Sequence, residues 1–258
     1  MSDSVLEFYD ELAEDYHLIF QDWDTSVRRQ GKVLEQLIGN HFNRPRQCLK
    51  VLDCSCGIGT QAIGLALSGY YVHATDLSPN AVSRAEMEAQ RLGASLTFGV
   101  ADFRLLNSQV EGSFDVVISC DNSLPHLLNN DDLKLALRNI WDKLNHSGLL
   151  LCSIRDYDRL LEEKPRTTTP AVYEDDKGKR IVFQVWDWEE NRNIYTINHF
   201  VIRQVGGAWG TKCQTTRYRA LLRSELNLML SEIGFSEITW HMPKETGYYQ
   251  PIVITLKA

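Results

Sequence analysis

V51-L-D-C-S-C-G-I-G-T60 is the stretch that decides the fold. Leu49 to Cys54 is a short apolar run. It breaks at the small-residue loop C56-G-I-G-T60, and Q61-A-I-G-L-A-L-S-G69 then resumes with apolar residues at helical spacing and stops at a glycine. The pattern is strand, loop, helix, and the chain repeats it on both sides.

Tyr70 to Thr75 reads as a second strand ended by Asp76, and Ser78 is a natural N-cap with Pro79 at the first position of a helix that stops near Gly93. Ser95 to Val100 is a third strand running into Ala101-Asp102-Phe103. F114-D-V-V-I-S-C-D-N-S123 is a buried strand with a polar end, residues 133–144 form an amphipathic helix, and Gly148 opens another buried strand, L149-L-L-C-S-I-R-D156. Near-continuous apolar strands alternating with amphipathic helices predict an α/β fold, a Rossmann-like sheet covered by helices on both faces, with functional groups at the carboxyl ends of the strands. Before it, residues 4–42 read as helix. After Asp156 the pattern changes: residues 157–172 read as polar loop, and the alternation in 181–186, 194–202 and 212–221 predicts an inserted antiparallel sheet. The chain closes with a helix over 223–233 and strands over 235–241 and 250–256. Three parts are expected: a helical cover (1–45), a cofactor-binding core (46–156 plus 223–258) and an inserted sheet roofing an acceptor pocket (157–222).

Composition narrows the function. The 258 residues are 43% hydrophobic and 24% charged, which excludes disorder and collagen. The net charge of −7 supplies no global basic field for nucleic acid or an anionic membrane. No run reaches the ~18 apolar residues of a membrane span, and the acidic start MSDSVLEFYDELAEDY lacks the basic-then-greasy order of a signal peptide, so a cytoplasmic location is expected. The six cysteines then read as reduced core thiols, and Cys54-x-Cys56 has no companion pair at ligand spacing, so no metal is expected.

A loop as bare as Gly57-Ile58-Gly59 lets a ligand approach the backbone and the next helix N-terminus. Asp76, 17 residues past Gly59, stands where a carboxylate accepts both hydroxyls of an adenosine ribose, and Asp102-Phe103 at the third strand end suits an adenine ring. Gly57, Gly59 and Ala62 formally satisfy a dinucleotide fingerprint, so a nicotinamide enzyme is one reading. Against it, Asp53 lies four residues before Gly57, where a carboxylate repels a pyrophosphate but favours the ammonium group of a sulfonium amino acid. That asymmetry points to S-adenosylmethionine.

V51-L-D-C-S-C-G-I-G-T60, H73-A-T-D76, A101-D-F103, F114-D-V-V-I-S-C-D-N-S123 and L144-N-H-S-G-L-L-L151 resemble the successive motifs of the class I S-adenosylmethionine-dependent methyltransferases, with Ser55 in place of the usual loop glycine. More narrowly, D121-N-S-L-P-H126 and S153-I-R-D-Y-D-R-L-L161 resemble segments of the glycine and glycine/sarcosine N-methyltransferases. That resemblance implies that Asn122 faces the reacting amine, that Arg155 binds a substrate carboxylate, that Tyr218 is a pocket tyrosine, and that Tyr16, Trp23 and Arg28 or Arg29 cover the cofactor. Ser55, Cys56, Leu77, Cys120 and Asp121 join Asp53, Gly57, Gly59, Asp76, Asp102 and Phe103 as its expected neighbours. His199 stands about where the family has a substrate-side tyrosine, and Asp121 replaces a glycine.

His126, four residues past Asn122, is a candidate proton relay, although a histidine at a helix entry also serves as a simple hydrogen bonder. The expected activity is methyl transfer to a small-molecule acceptor, an amine or amino acid such as glycine or sarcosine. O- or C-methylation of another metabolite, or a cofactor-binding sensor, are the alternatives.

Overall fold

A computed structural model describes residues 3–175, 178–190 and 193–258. The central sheet has seven strands: β1 (Lys50–Asp53), β2 (Tyr71–Asp76), β3 (Thr97–Val100), β4 (Phe114–Ser119), β5 (Leu144–Ser153) and, from the C-terminal part of the chain, β10 (Phe235–His241) and β11 (Ile252–Lys257). Their order is β3-β2-β1-β4-β5-β11-β10. β1 to β5 pair in parallel, and β11 alone runs against both neighbours. All six residues of β4 are buried, as a strand covered on both faces requires. Its side chains alternate between two cores: Val117 packs with Leu137 and Leu230, while Val116 and Ile118 pack with Leu34 and Leu65.

The helices follow the signals in the chain. α3 (Thr60–Leu67) begins at Gly59, α4 (Pro79–Leu92) is capped by Ser78 Oγ accepting from Ala81 N at 3.0 Å, and α6 (Asn130–Lys143) is capped by Asn129. A short α5 (Leu106–Gln109) precedes β4, and α8 (Arg223–Ile233) ends at Gly234 in the left-handed region. A one-turn α9 (Pro243–Thr246) leads to β11.

The N-terminal segment differs from the single helix expected over 4–42. It is α1 (Asp3–Leu12), a 3-10 turn (Tyr16–Ile19) and α2 (Trp23–Gly39). Phe20 is extended, and Asp22 then restarts the helix by accepting from Thr25 N at 3.0 Å. α2 lies against α3 at backbone distance: a Cβ on Gly31 would fall 2.5 Å from the carbonyl carbon of Gly64.

Residues 157–172 also depart from the expected loop, because Tyr157 is fully buried and anchors α7 (Tyr157–Glu163). Beyond it, β6 (Ala171–Asp175), β7 (Gly178–Trp188), β8 (Ile194–Val205) and β9 (Ala208–Arg219) form the antiparallel sheet, in that order. β8 and β9 extend past the alternation seen in the sequence. Gly206 and Gly207, at φ +59° and +84°, supply the two-residue turn that joins them. The sheet's inner face, with Trp186, Ile197, Tyr195 and Tyr218, merges into the same core as β4 and α6. Among the described residues no helix is long and apolar enough to cross a membrane.

Candidate active site

Two cavities open where the carboxyl ends of β1, β2, β3 and β4 meet α1 and the Tyr16 turn. The smaller, of about 580 Å³, is lined by Ser55, Cys56, Gly57, Thr60 and Gln61 from the loop and α3, by Asp76 and Leu77, by Ala101 and Phe103, and by Tyr9, Tyr16, Asp121, Ser123 and His126. The loop that borders it needs glycine at two points. Gly57 and Gly59 have φ of +52° and +92°, and a Cβ on Gly59 would lie 2.8 Å from Ile63 Cδ1.

Asp76 is tied into this loop. Its Oδ2 accepts from Gly57 N at 2.8 Å and its Oδ1 from Ser78 N at 3.0 Å. Burial nevertheless pushes its carboxyl above the usual range. Asp53 sits just behind the lining. One oxygen accepts from Ser55 N at 3.2 Å and the other is buried without a partner. Burial, aided by the charge of Asp76 and opposed by backbone N–H groups, pushes the Asp53 carboxyl up to about 8.

Asp121 borders both cavities. Tyr16 donates to its Oδ2 at 2.7 Å, and Tyr249 donates to its Oδ1. Asp121 and Asn122 are consecutive left-handed residues, at φ +60° and +69°. Their backbone N–H groups donate to Ser153 Oγ and Ser153 O, at 2.8 and 3.1 Å, which holds the turn.

The larger cleft, of about 1860 Å³, runs from Asp121 beneath the antiparallel sheet. Arg155 on its wall donates to Tyr195 Oη at 2.8 Å and to Gln184 Oε1 at 3.5 Å. Its guanidinium carbon lies 4.9 Å from the ring centre of Trp186 and 5.1 Å from that of Tyr218. Among the described residues no carboxylate forms an ion pair with it. Asn122 Oδ1 accepts from Arg155 N at 3.1 Å and from Tyr157 Oη at 2.9 Å, which leaves its Nδ2 buried and unpartnered.

The expected residues thus separate. Tyr16, Ser55, Cys56, Gly57, Asp76, Leu77, Phe103 and Asp121 line the small cavity, and Arg29, Arg155, His199 and Tyr218 line the cleft. Asn122 lines neither; at 1% exposure it works from behind, fastening Arg155 and Tyr157. Gly59 and Cys120 also lie behind the lining. The Asp102 carboxylate is turned to Arg104, which holds both of its oxygens, so the cavity wall at this strand end is left to Ala101 and Phe103. Trp23 is buried beneath the loop with its Nε1 donating to Thr60 Oγ1 at 3.0 Å, and Arg28 is exposed outside both cavities.

His126 is at the wall, 2.8 Å from Tyr9 Oη, with its ring 4.0 Å from that of Tyr218. Burial, aided by the charge of Arg155, pushes it down to about 3. An imidazole so reluctant to become a cation is a poor proton relay, and its work here is the hydrogen bond to Tyr9. Sequence reasoning missed Tyr9, Gln61, Gln184 and Tyr249 as site residues. Tyr9 alone left a trace, in the aromatic run at the start of the chain.

Residues 51–148 match the methyltransferase domain family. A glycine/sarcosine N-methyltransferase of Parasynechococcus marenigrum (strain WH8102) is 36% identical over 222 residues, 84% of this chain and 72% of that protein. The chain belongs to the class I S-adenosylmethionine-dependent methyltransferases. The fold agrees: a solved S-adenosylmethionine-dependent methyltransferase from Clostridium acetobutylicum is similar with a TM-score of 0.70 at 17% identity, over 96% of this chain and 97% of that one. CalS10, an amino pentose methyltransferase from Micromonospora echinaspora with S-adenosylmethionine bound, is similar with a TM-score of 0.71 at 14% identity, over 90% and 92% of the two chains.

The nicotinamide reading of Gly57-x-Gly59 falls with this assignment. The methyltransferase uses S-adenosylmethionine as methyl donor, and the residues present fit it. The small cavity has an apolar wall at Ala101 and Phe103 for a flat ring, and a carboxylate at Asp76 for hydroxyls. The unpartnered buried oxygen of Asp53 gains from a cation.

Proposed function

We propose that this methyltransferase N-methylates a small amine bearing a carboxylate, of the glycine and sarcosine type. The observation that carries the reading is Arg155. It is a guanidinium between two aromatic rings, bonded only to neutral oxygens among the described residues, on a cleft that adjoins the cofactor cavity along Tyr9, Tyr16 and Asp121. A carboxylate entering the cleft supplies the anion that the fork of N–H donors lacks.

When bound, S-adenosylmethionine supplies an electrophilic methyl group. Asp76 would accept from its ribose hydroxyls, Leu77, Ala101 and Phe103 would flank the adenine, Ser55, Cys56 and Gly57 leave room along the backbone, and Asp53 favours the ammonium end. Tyr16 closes this side from the N-terminal cover, while Arg29, expected beside the cofactor, borders the acceptor cleft instead. On the acceptor side Arg155 fixes the carboxylate, and Asn122 and Tyr157 hold the Arg155 segment in place. Tyr218 and Trp186 exclude water from the fork. Asp121, the carboxylate bordering both cavities, draws in the amine and receives, directly or through water, the proton it must lose. In this reading residues 1–45 cover the site, 46–156 with 223–258 hold the cofactor, and the 157–222 sheet roofs the acceptor.

Transfer of a labelled methyl group to glycine and sarcosine, compared with methylamine and ethanolamine, tests this. Turnover that requires the carboxylate is expected. Equal rates on the amines without a carboxylate would remove Arg155 from the acceptor site.

A further inference from the structure

The turn that carries Tyr16 is gripped by the antiparallel sheet at both ends. At its start Asp15 is buried, and its Oδ2 accepts from Lys212 Nζ on β9 at 2.5 Å, with Arg203 Nη1 on β8 at 3.9 Å from its Oδ1. At its end stands Arg180 on β7, only 5% exposed. Its guanidinium donates to three backbone carbonyls where the helical cover is interrupted: Leu18 O at 3.0 Å, Phe20 O at 2.8 Å and Gln21 O at 3.2 Å. Its Nη1 donates to Asp175 Oδ2 at 2.5 Å, and its carbon lies 5.0 Å from the ring centre of Tyr173.

A cation withdrawn from water is costly, and an apolar side chain of similar volume often holds a fold as well. What an apolar side chain cannot do is fix carbonyls that a broken helix leaves exposed, and the planar fork of an arginine fixes several of them relative to one another. Arg180 lines neither cavity, but the segment it holds does. Tyr16 lines both, and Ile19 and Phe20 line the cleft. Tyr16 then donates to Asp121 at 2.7 Å. Along β7, Arg180, Val182, Gln184 and Trp186 share one face by alternation, and the last three line the cleft. One strand therefore carries both a wall of the cleft and the anchor of the turn at the small cavity.

We propose that Arg180 is a positioning residue for methyl transfer: by fixing the carbonyls of Leu18, Phe20 and Gln21 it holds Tyr16 against Asp121 and at the mouth of the small cavity. The proposal rests on the reading above that places the donor in that cavity and the acceptor in the cleft. Arg180 touches neither, so its effect passes through Tyr16. Misplacing reacting groups by about 1 Å costs on the order of 10²-fold in rate, so a turn freed from its anchor is felt in kcat while the fold persists.

The test is a cycle of Arg180→Met, Tyr16→Ala and the double variant in the full chain, reading calorimetric affinity for S-adenosylhomocysteine, kcat and the unfolding midpoint. Arg180→Met should raise Kd at least fivefold and lower kcat at least tenfold. In the Tyr16→Ala background it should change either by less than twofold, because the residue it positions is gone. Arg180→Lys, which keeps the ion pair with Asp175 but not the three-carbonyl fork, should fall between parent and Arg180→Met. Where Arg180→Met does not fold, the same cycle run with Arg180→Lys decides. Effects that multiply across the cycle, or a lowered unfolding midpoint with Kd and kcat unchanged, overturn the positioning role. No turnover on any amine tried overturns the N-methylation reading instead, and the S-adenosylhomocysteine arm, which needs no acceptor, still decides on Arg180.

Discussion

Tyr16, in the turn between α1 and α2, donates a 2.7 Å hydrogen bond to Asp121 just past the end of β4, joining the N-terminal segment to the carboxyl edge of the sheet across 105 residues of chain. A hydrogen bond to a carboxylate contributes about 1.5–3 kcal/mol. Tyr16→Phe should therefore lower stability in urea and weaken the binding of S-adenosylhomocysteine. In a cycle with Asp121→Asn a coupling of about 1–2 kcal/mol is expected, and additive effects would show that the two residues act independently.

Asp76 holds Gly57 N and Ser78 N while lining the small cavity. Asp76→Ala should weaken S-adenosylhomocysteine binding by about 2 kcal/mol, roughly 30-fold in Kd. Titration calorimetry gives the number directly, and unchanged affinity would move the ribose elsewhere.

Asp53 gives a pH signature. Its carboxyl stands at about 8 in the folded chain against 3.8 for an unperturbed aspartate, so the folded state holds a proton that the unfolded state has released, and stability falls as pH rises through that window. His126 and His199, lowered to about 3 and about 4, work in the opposite sense below pH about 6.5, where their protonation favours the unfolded chain. The Asp53 effect is thus isolated between pH about 6.5 and 8, where the cofactor-free protein should lose on the order of 1 kcal/mol per pH unit. Denaturation midpoints at pH 6.5 and 8 should differ in the parent and converge in Asp53→Asn; a slope shared by both proteins would assign the titration to another group.

Arg155→Lys keeps the charge but removes the fork and its stacking on Trp186 and Tyr218. The KM for a carboxylate-bearing acceptor should rise at least tenfold while the cofactor KM moves little. Parallel increases in both constants would mean that Arg155 supports the architecture and not the acceptor.

A methyl group added at Gly64 would fall 2.5 Å from the carbonyl oxygen of Val27 and 2.8 Å from Gly31 Cα. Both neighbours are backbone and cannot turn aside. Gly64→Ala should cost about 1–3 kcal/mol or more by forcing α2 and α3 apart. Thermal unfolding reads it, and an unshifted midpoint would mean that the helices separate without penalty.

The loop-and-strand-end framework of this site was legible because its signals are local. The strand, glycine loop and helix around Gly57, the acidic strand end at Asp76 and the Ser78-Pro79 cap are each read from a few adjacent residues, and each is where the sequence places it. What was hidden depends on where a side chain turns. Asp102 lies at the expected strand end, yet Arg104 two residues away captures it. Asn122 looks like a pocket residue, yet the left-handed pair with Asp121 sends the two side chains to different places. Tyr249 arrives through the loop before β11, far from every motif, and nothing in its own stretch of chain announces Asp121. The helical cover was read as continuous because its composition is helical throughout; the break comes from Phe20 adopting an extended backbone before Asp22 caps anew.

The contact of Gly31 with Gly64 also bears on how the cover is held. α2 is seated on α3 backbone to backbone, and α3 begins at the glycine loop that lines the small cavity. α1 and the Tyr16 turn are held by the buried Val5, Phe8, Leu12 and Leu18 and by side-chain hydrogen bonds, Tyr9 to His126, Ser78 to Asp10 and Tyr16 to Asp121. The two halves of the cover are therefore fastened differently: the second by backbone contact with α3, the first by apolar packing and by hydrogen bonds that reach across both cavities to His126 and Asp121.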